Sequence, residues 1–347
     1  MNLQERIKSF EALGTILRNA LMDKDAIYGE QINTLIDRQQ KTNPWFTPDN
    51  VRNALNAIAN ELTNENLVRW TGSYPGLNEE IKPLRAAVIM AGNIPLVGFH
   101  DFLSVLISGN NLIAKTSSKD SDLIVRISEI LCTINPAFRG KIVFREETLA
   151  DFDVVIATGS NNSSRYFEYY FGKYPNIIRK NRNSVAILDG NETDIELRNL
   201  GKDIFLYFGL GCRNVSKIYV PRGYALSSLE RNWNEYAGLT SNTKYANNYD
   251  FSKAVYLVNK ENFYDFGYLL LKEDRKLSSP VAVIYYEYYE TQTAVEHELM
   301  ELSEKIQCII GRNFVPPGEA QSPKLWDYAD GTDTIEFLLK KNAAGIL

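Results

Sequence analysis

A doubly wound α/β fold, preceded by a helical section and followed by a smaller α/β unit, is what this chain of 347 residues predicts. Three observations carry that expectation. Short apolar runs at 85–91, 111–116, 141–145, 153–158 and 184–188 have the length of strands; helical patterns at 95–108, 120–134 and 161–171 separate them; and small, polar or cationic residues follow the strands. Strands joined by crossover helices run parallel, so the alternation implies one parallel sheet with helices on its faces.

Each element has its own signal. Leu3, Ile7, Phe10, Leu13, Leu17 and Leu21 form an apolar stripe at steps of three and four, as one face of a helix requires. Thr47-Pro48, a capping hydroxyl before a first-turn proline, announces a further helix through Val51, Leu55, Ile58 and Leu62. Trp70-Thr71-Gly72-Ser73-Tyr74-Pro75-Gly76 breaks the periodicity and marks a boundary near residue 80. Beyond about residue 200 the pattern predicts a helix over 203–210, a strand over 217–220, further strands at 254–258 and 281–286, and a helix over 263–272. The expected organisation is therefore a helical section (1–80) packed on a cofactor-type domain (81–200), a second α/β domain (201–315) and a C-terminal segment (316–347).

Composition narrows the function. With 44% hydrophobic and 23% charged residues the chain is an ordinary globular protein, and no segment reaches the length of a membrane span. Met1 to Lys8 lacks the apolar core of a secretory signal, so the cytosol is the expected address. A net charge of −5 argues against a nucleic-acid surface, which needs clustered lysine and arginine. The three cysteines show no paired spacing, and no C-x-x-C or H-x-x-x-H pattern suggests a metal site.

In doubly wound sheets the ligand sits beyond the carboxyl ends of the strands. The turns there read Ala91-Gly92-Asn93-Ile94-Pro95, Lys115-Thr116-Ser117-Ser118 and Thr158-Gly159-Ser160-Asn161. Gly159 permits a tight strand-to-helix turn, and Ser160 can cap a helix whose free N–H groups suit a phosphate. The G-x-G-x-x-G fingerprint of an ordinary dinucleotide site is absent. Cys212, in Gly209-Leu210-Gly211-Cys212-Arg213-Asn214, has small or polar neighbours in a loop that a substrate can approach, and a thiol is the side chain most readily made nucleophilic near neutral pH. A lone cysteine before a strand is also a common packing residue, the reading that fits Cys132 and Cys308 in their apolar surroundings.

The ordered set Asn93-Ile94-Pro95, Lys115, Gly159-Ser160 and Gly211-Cys212 is similar to the succession of motifs in the aldehyde dehydrogenase superfamily. With Gly209-Leu210-Gly211-Cys212 and the C-terminal stretch from Gln321 to Gly331, it more closely resembles the LuxC-type acyl-CoA reductases, over roughly residues 80 to 340. The resemblance implies an aldehyde dehydrogenase-like fold and a catalytic Cys212 that takes an acyl group as a thioester. Asn93 and the Cys212 N–H would stabilise the oxyanion, Lys115 would bind the adenosine ribose and any phosphate on it, Thr116 and Ser117 would belong to the same cofactor site, and Gly159 and Ser160 would meet the pyrophosphate. Self-association is implied as well.

Hydrolytic members of that superfamily carry a Glu-Leu-Gly-Gly stretch whose glutamate activates water; the corresponding place here reads Arg179-Lys180-Asn181-Arg182-Asn183-Ser184-Val185. Without a base for water, a thioester would survive to be reduced, which favours an acyl-CoA or other activated acyl donor as substrate. The absence of a carboxylate between Lys115 and Asp120 leans towards NADPH, with NADH as the alternative. Two rival readings are reduction of an acyl phosphate by the same chemistry and a catalytically silent cofactor-binding module.

Overall fold

A computed structural model describes residues 1–146 and 148–344. The chain divides into two units, Met1–Asn181 with Lys324–Leu347, and Arg182–Pro323.

The first unit opens with α1 (Leu3–Leu21), α2 (Ala26–Thr42), α3 (Pro48–Glu61) and α4 (Asn64–Gly72). Asn2 and Glu5 form a reciprocal cap on α1, and Thr47 Oγ1 accepts the Asn50 N–H ahead of α3, as the Thr-Pro pair predicts. There follow β1 (Arg85–Ile89), α5 (Phe99–Ile107), β2 (Asn111–Lys115), α6 (Asp122–Ile134), β3 (Ile142–Phe144), β4 (Val154–Thr158), α7 (Asn161–Phe171) and β5 (Asn176–Arg179). The five strands lie in the order β3-β2-β1-β4-β5, every pair parallel. Side chains alternate across this sheet: Ala86 and Val88 face a core shared with Phe10, Leu13, Phe102 and Ile127, whereas Ala87 faces the opposite side, which Phe167 and Phe171 of α7 cover. The N-terminal helices thus belong to the same core as the sheet. So does the C-terminal segment, whose Leu325 and Tyr328, with Ile335 and Leu338 of α12 (Thr334–Ala344), are buried there.

The second unit comprises β6 (Asn183–Ile187), α8 (Asp194–Phe205), β7 (Val215–Pro221), α9 (Ser227–Trp233), α10 (Thr243–Val258), β8 (Tyr264–Asp265), β9 (Leu270–Glu273), β10 (Val283–Tyr289), α11 (Gln292–Glu301) and β11 (Ile306–Ile310). Its sheet runs β11-β6-β7-β10-β9-β8, and only β8 is antiparallel to its neighbour. One face packs Ala186, Ile218 and Val220 against α8 and α9; the other packs Val185, Ile187 and Tyr219 against Val295 and Leu299 of α11.

Several expectations are corrected. The strand expected at 184–188 does not extend the first sheet: it is β6, and it pairs with β7 and β11, so the chain changes unit at Asn181/Arg182 rather than near 200. The C-terminal segment expected from 316 is split, 316–323 lying in the second unit. Residues 254–258 end helix α10 instead of forming a strand, and 263–272 carry β8 and β9 instead of a helix. The helix expected over 203–210 stops at Phe205.

Candidate active site

The strand order of the first unit reverses between β1 and β4, which is where an open parallel sheet leaves a crevice for a ligand. Register makes the three relevant strand ends level, since Ile89 stands opposite both Lys115 and Ala157. The turns carrying Asn93, Lys115 to Ser117, and Gly159 with Ser160 therefore emerge side by side at one edge of the sheet. Asn93 and Ser160 are exposed; Lys115, Thr116, Ser117 and Gly159 are half-buried.

Close packing explains the small residues in these turns. A Cβ on Gly92 would lie 2.5 Å from Ser117 Oγ, so the first turn seats on the second only if residue 92 has no side chain. A Cβ on Gly159 would lie 2.8 Å from the Phe167 ring and 2.9 Å from Ser163 Cβ, on the first turns of α7. Ser160 caps that helix, its Oγ accepting the Ser163 N–H at 3.2 Å.

Two buried carboxylates brace this edge. Asp120 is 5% exposed; its Oδ2 accepts the Leu96 N–H at 2.7 Å, and its Oδ1 is buried with no hydrogen-bond partner. Burial pushes the Asp120 carboxyl up to about 7, with the Leu96 N–H pulling the other way. Leu96 has φ +58°, a left-handed conformation that costs about 1–3 kcal/mol for a residue with a side chain, so the bond holds a strained residue three positions past Asn93. The carboxylate that follows Lys115 thus points inward rather than into the exposed Ser118–Lys119 turn. Asp101 of α5 receives the Arg179 guanidinium at 2.6 Å, and Arg179 also donates to Thr334 Oγ1 at 2.9 Å, so the end of β5 is tied to α5 and α12. Arg179, in the stretch that replaces the glutamate motif, is a buried structural cation.

In the second unit Cys212 is exposed. It follows a turn in which Tyr207 (φ 53°), Phe208 (φ 58°) and Gly209 (φ 74°) are all left-handed, a strained geometry for the two aromatic residues that their burial maintains. Asn214, 2% exposed, spans that turn: its Oδ1 accepts the Gly211 N–H at 2.8 Å, and its Nδ2 donates to the carbonyls of Asp203 (3.0 Å) and Leu206 (2.9 Å). Ser184 of β6, fully buried, donates to the Cys212 carbonyl at 2.9 Å and contacts Cys308 Sγ at 3.1 Å. Burial pushes the Cys308 thiol up to about 11, a shift that the Ser184 hydrogen bond and then Arg213 oppose. Asp203, buried, accepts the N–H groups of Gly318 (2.6 Å) and Ala320 (3.0 Å), and burial pushes its carboxyl up to about 6.

Sequence patterns alone point to Cys212 and to the three turns, but not to Asn214, Ser184 or Asp120. The signals for those three are weak: an amide two places past the thiol, a hydroxyl heading an otherwise apolar strand, and a carboxylate opening a helix. His100 is absent from these groupings; its Nε2 lies 2.8 Å from the Leu325 carbonyl, and its ring packs against Trp70 and Tyr328.

Among the described residues no helix is long and apolar enough to cross a membrane. The fold is that of aldehyde dehydrogenases. Aldehyde dehydrogenase 21 from Physcomitrella patens, solved with the reaction product succinate, superposes with a TM-score of 0.63 at 13% identity, covering 90% of this chain and 74% of that one. An NAD+ complex of aldehyde dehydrogenase from Bacillus cereus gives 0.60 at 12% identity, covering 89% and 72%. By sequence, the long-chain acyl-protein thioester reductase of Photorhabdus laumondii is 23% identical over 228 residues, 60% of this chain and 47% of the relative. That of Aliivibrio fischeri is 26% identical over 207 residues, 54% and 42%. The chain thus spans about half the length of the curated relatives it matches. The model of the family described as acyl-CoA reductase (LuxC) matches residues 22–237, a stretch that contains all three turns, Asp120, Ser184 and the whole Cys212 loop, and the chain belongs to that family.

Proposed function

We propose that this protein is an acyl reductase that transfers the acyl group of an activated donor, an acyl-CoA in the first instance, to Cys212 and releases it as an aldehyde. The observation that carries this reading is an exposed thiol at the end of a strained, side-chain-clamped turn, in a chain of the acyl-CoA reductase family.

The Cys212 thiolate attacks the thioester carbonyl, a C–S bond forms, and the CoA thiolate leaves and takes up a proton. The Asn93 amide and the Cys212 N–H are the proposed donors to the oxyanion. A nicotinamide, when bound, supplies the hydride that reduces the acyl carbon. The oxyanion left on the acyl carbon then collapses to the aldehyde as the C–S bond breaks, and Cys212 departs as the thiolate. The residues of the first sheet edge fit a dinucleotide in chemistry: a lysine, hydroxyls and the N-terminus of α7 are donors and positive dipole ends suited to phosphate. Lys115, Thr116 and Ser117 are assigned to the adenosine ribose, Gly159 and Ser160 to the pyrophosphate. Because Asp120 faces Leu96 instead of the exposed turn, it leaves room there for a 2′-phosphate, which supports NADPH over NADH.

The test is to incubate the protein with acyl-CoAs of several chain lengths without nicotinamide and weigh the intact chain. An acyl adduct that Cys212→Ser abolishes, discharged as aldehyde on adding NADPH, is expected; no adduct at any chain length on folded protein overturns the mechanism. Acyl phosphate and acyl-protein donors in the same assay establish which leaving group is preferred.

A further inference from the structure

We propose that Asn214 and Ser184 are positioning residues that hold the backbone on both sides of the Cys212 thiol. The inference rests on the assignment of Cys212 as nucleophile and goes beyond it.

The backbone between Phe205 and Val215 must leave a helix, reverse through three left-handed residues and enter a strand, and two of those residues have side chains that disfavour the conformation. Such a turn keeps one shape only if its surroundings over-determine it. Asn214 meets that requirement with one amide group. Its nitrogen engages Asp203 and Leu206, carbonyls that the end of α8 leaves without an intrahelical donor, while its oxygen holds the Gly211 N–H immediately before the cysteine. The departure and the return of the turn are thereby closed on a single buried side chain. Ser184 acts on the other side of the sulfur, fixing the Cys212 carbonyl from the adjacent strand β6. With the N–H of Gly211 and the C=O of Cys212 both anchored, the peptide groups flanking Cys212 have little freedom to rotate, and the direction of its Cα–Cβ bond is set by buried groups.

Neither residue need touch substrate, so each acts through Cys212. Loss of such positioning lowers the rate of the chemical step far more than it weakens binding, and a misplacement of about 1 Å costs roughly 100-fold. The experiment compares Asn214→Ala, Ser184→Ala and Leu299→Ala in the full chain. Leu299 is a buried residue of α11 on the opposite face of the same unit, and its truncation lowers stability without reaching the loop. Steady-state kinetics with NADPH and the acyl-CoA that gives the native protein its highest turnover are read beside thermal melts. Asn214→Ala is expected to lower kcat about 100-fold and Ser184→Ala about 10-fold, with KM for NADPH within about threefold of native; Leu299→Ala is expected to lower Tm with kcat within about threefold. Folded Asn214→Ala and Ser184→Ala proteins with native kcat, or a Leu299→Ala protein that loses kcat in proportion to Tm as they do, overturn the proposal. Should Asn214→Ala fail to melt cooperatively, Ser184→Ala against Leu299→Ala decides alone. Failure of the underlying assignment looks different: the native protein then forms no acyl adduct at Cys212.

Discussion

Asp120 Oδ2 accepts the Leu96 N–H at 2.7 Å, joining the turn after β2 to the turn after β1 through a carboxylate with almost no access to water. Its carboxyl stands at about 7, above the ordinary 3.8, so the folded chain holds this proton more tightly than the unfolded chain does. Stability is therefore expected to fall as pH rises from about 4 to about 7, and the penalty is absent below about 4, where both states are protonated. At about 1.4 kcal/mol per tenfold change, the contribution is on the order of 4 kcal/mol at most. Asp120→Asn should flatten this part of the urea-midpoint profile, leaving the smaller fall between about pH 4 and 6 that Asp203 contributes. An unchanged slope would exclude Asp120 as its source.

The three thiols should react in a definite order. Cys212 is exposed, whereas burial pushes Cys308 up to about 11 and also raises Cys132. Iodoacetamide at pH 8 is expected to label Cys212 first and Cys308 at least tenfold more slowly in the native protein, since the thiolate is the reacting species. Peptide mass spectrometry over a time course measures this, and early labelling of Cys308 would contradict its burial.

At the proposed pyrophosphate turn, Gly159→Ala places a methyl group against Ser163 Cβ and the Phe167 ring. Forcing these apart is expected to cost about 1–3 kcal/mol and to displace the first turn of α7. The Tm rise that NADPH produces should shrink in this variant; an undiminished rise would remove Gly159 from the cofactor site.

The Arg179–Asp101 pair offers a double-mutant test. Arg179→Met leaves Asp101 buried without its cation, and Asp101→Leu leaves the guanidinium so; each is expected to cost about 3–5 kcal/mol, and the double variant less than either. Urea unfolding of the four proteins provides the coupling, and additive losses would show that the pair does not act as a unit.

Much of the first unit was legible in the residues because its strands are short apolar runs and its turns carry chemistry suited to tight strand-to-helix geometry. The helix at 161–171 was located to the residue, since Ser160 caps it and Gly172 ends it. Strand β5 was missed: Asn176 to Arg179 is four residues long, and only Ile177 and Ile178 mark it as apolar. Helix α10 was obscured because its buried stripe is Tyr245, Tyr249, Ser252 and Tyr256, while the apolar residues that suggested a strand, Leu257 and Val258, are exposed at its end. Between 263 and 272, Phe263, Phe266 and Leu270 mimic helical spacing, but Gly267 at φ +82° turns the chain back. Nor does a strand's pattern say which sheet it joins: Ser184 to Ile187 would suit either, and Arg182, bonded to the carbonyls of Ser303 and Ile306, lies with the second. At the thiol, the small and polar neighbours of Cys212 match its exposed position in the loop, whereas the hydrogen bonds that Asn214 and Ser184 make to the backbone around it are ones that no spacing reveals.

The first unit finishes its core with Leu325, Tyr328, Ile335 and Leu338, all encoded after the second unit. A ribosome therefore emits residues 182–323 as one uninterrupted, self-paired sheet while the earlier sheet still lacks its closing helix. A chain cut after residue 181 therefore leaves apolar surface of the first unit uncovered, whereas a clone spanning 182–323 contains every strand of its own sheet.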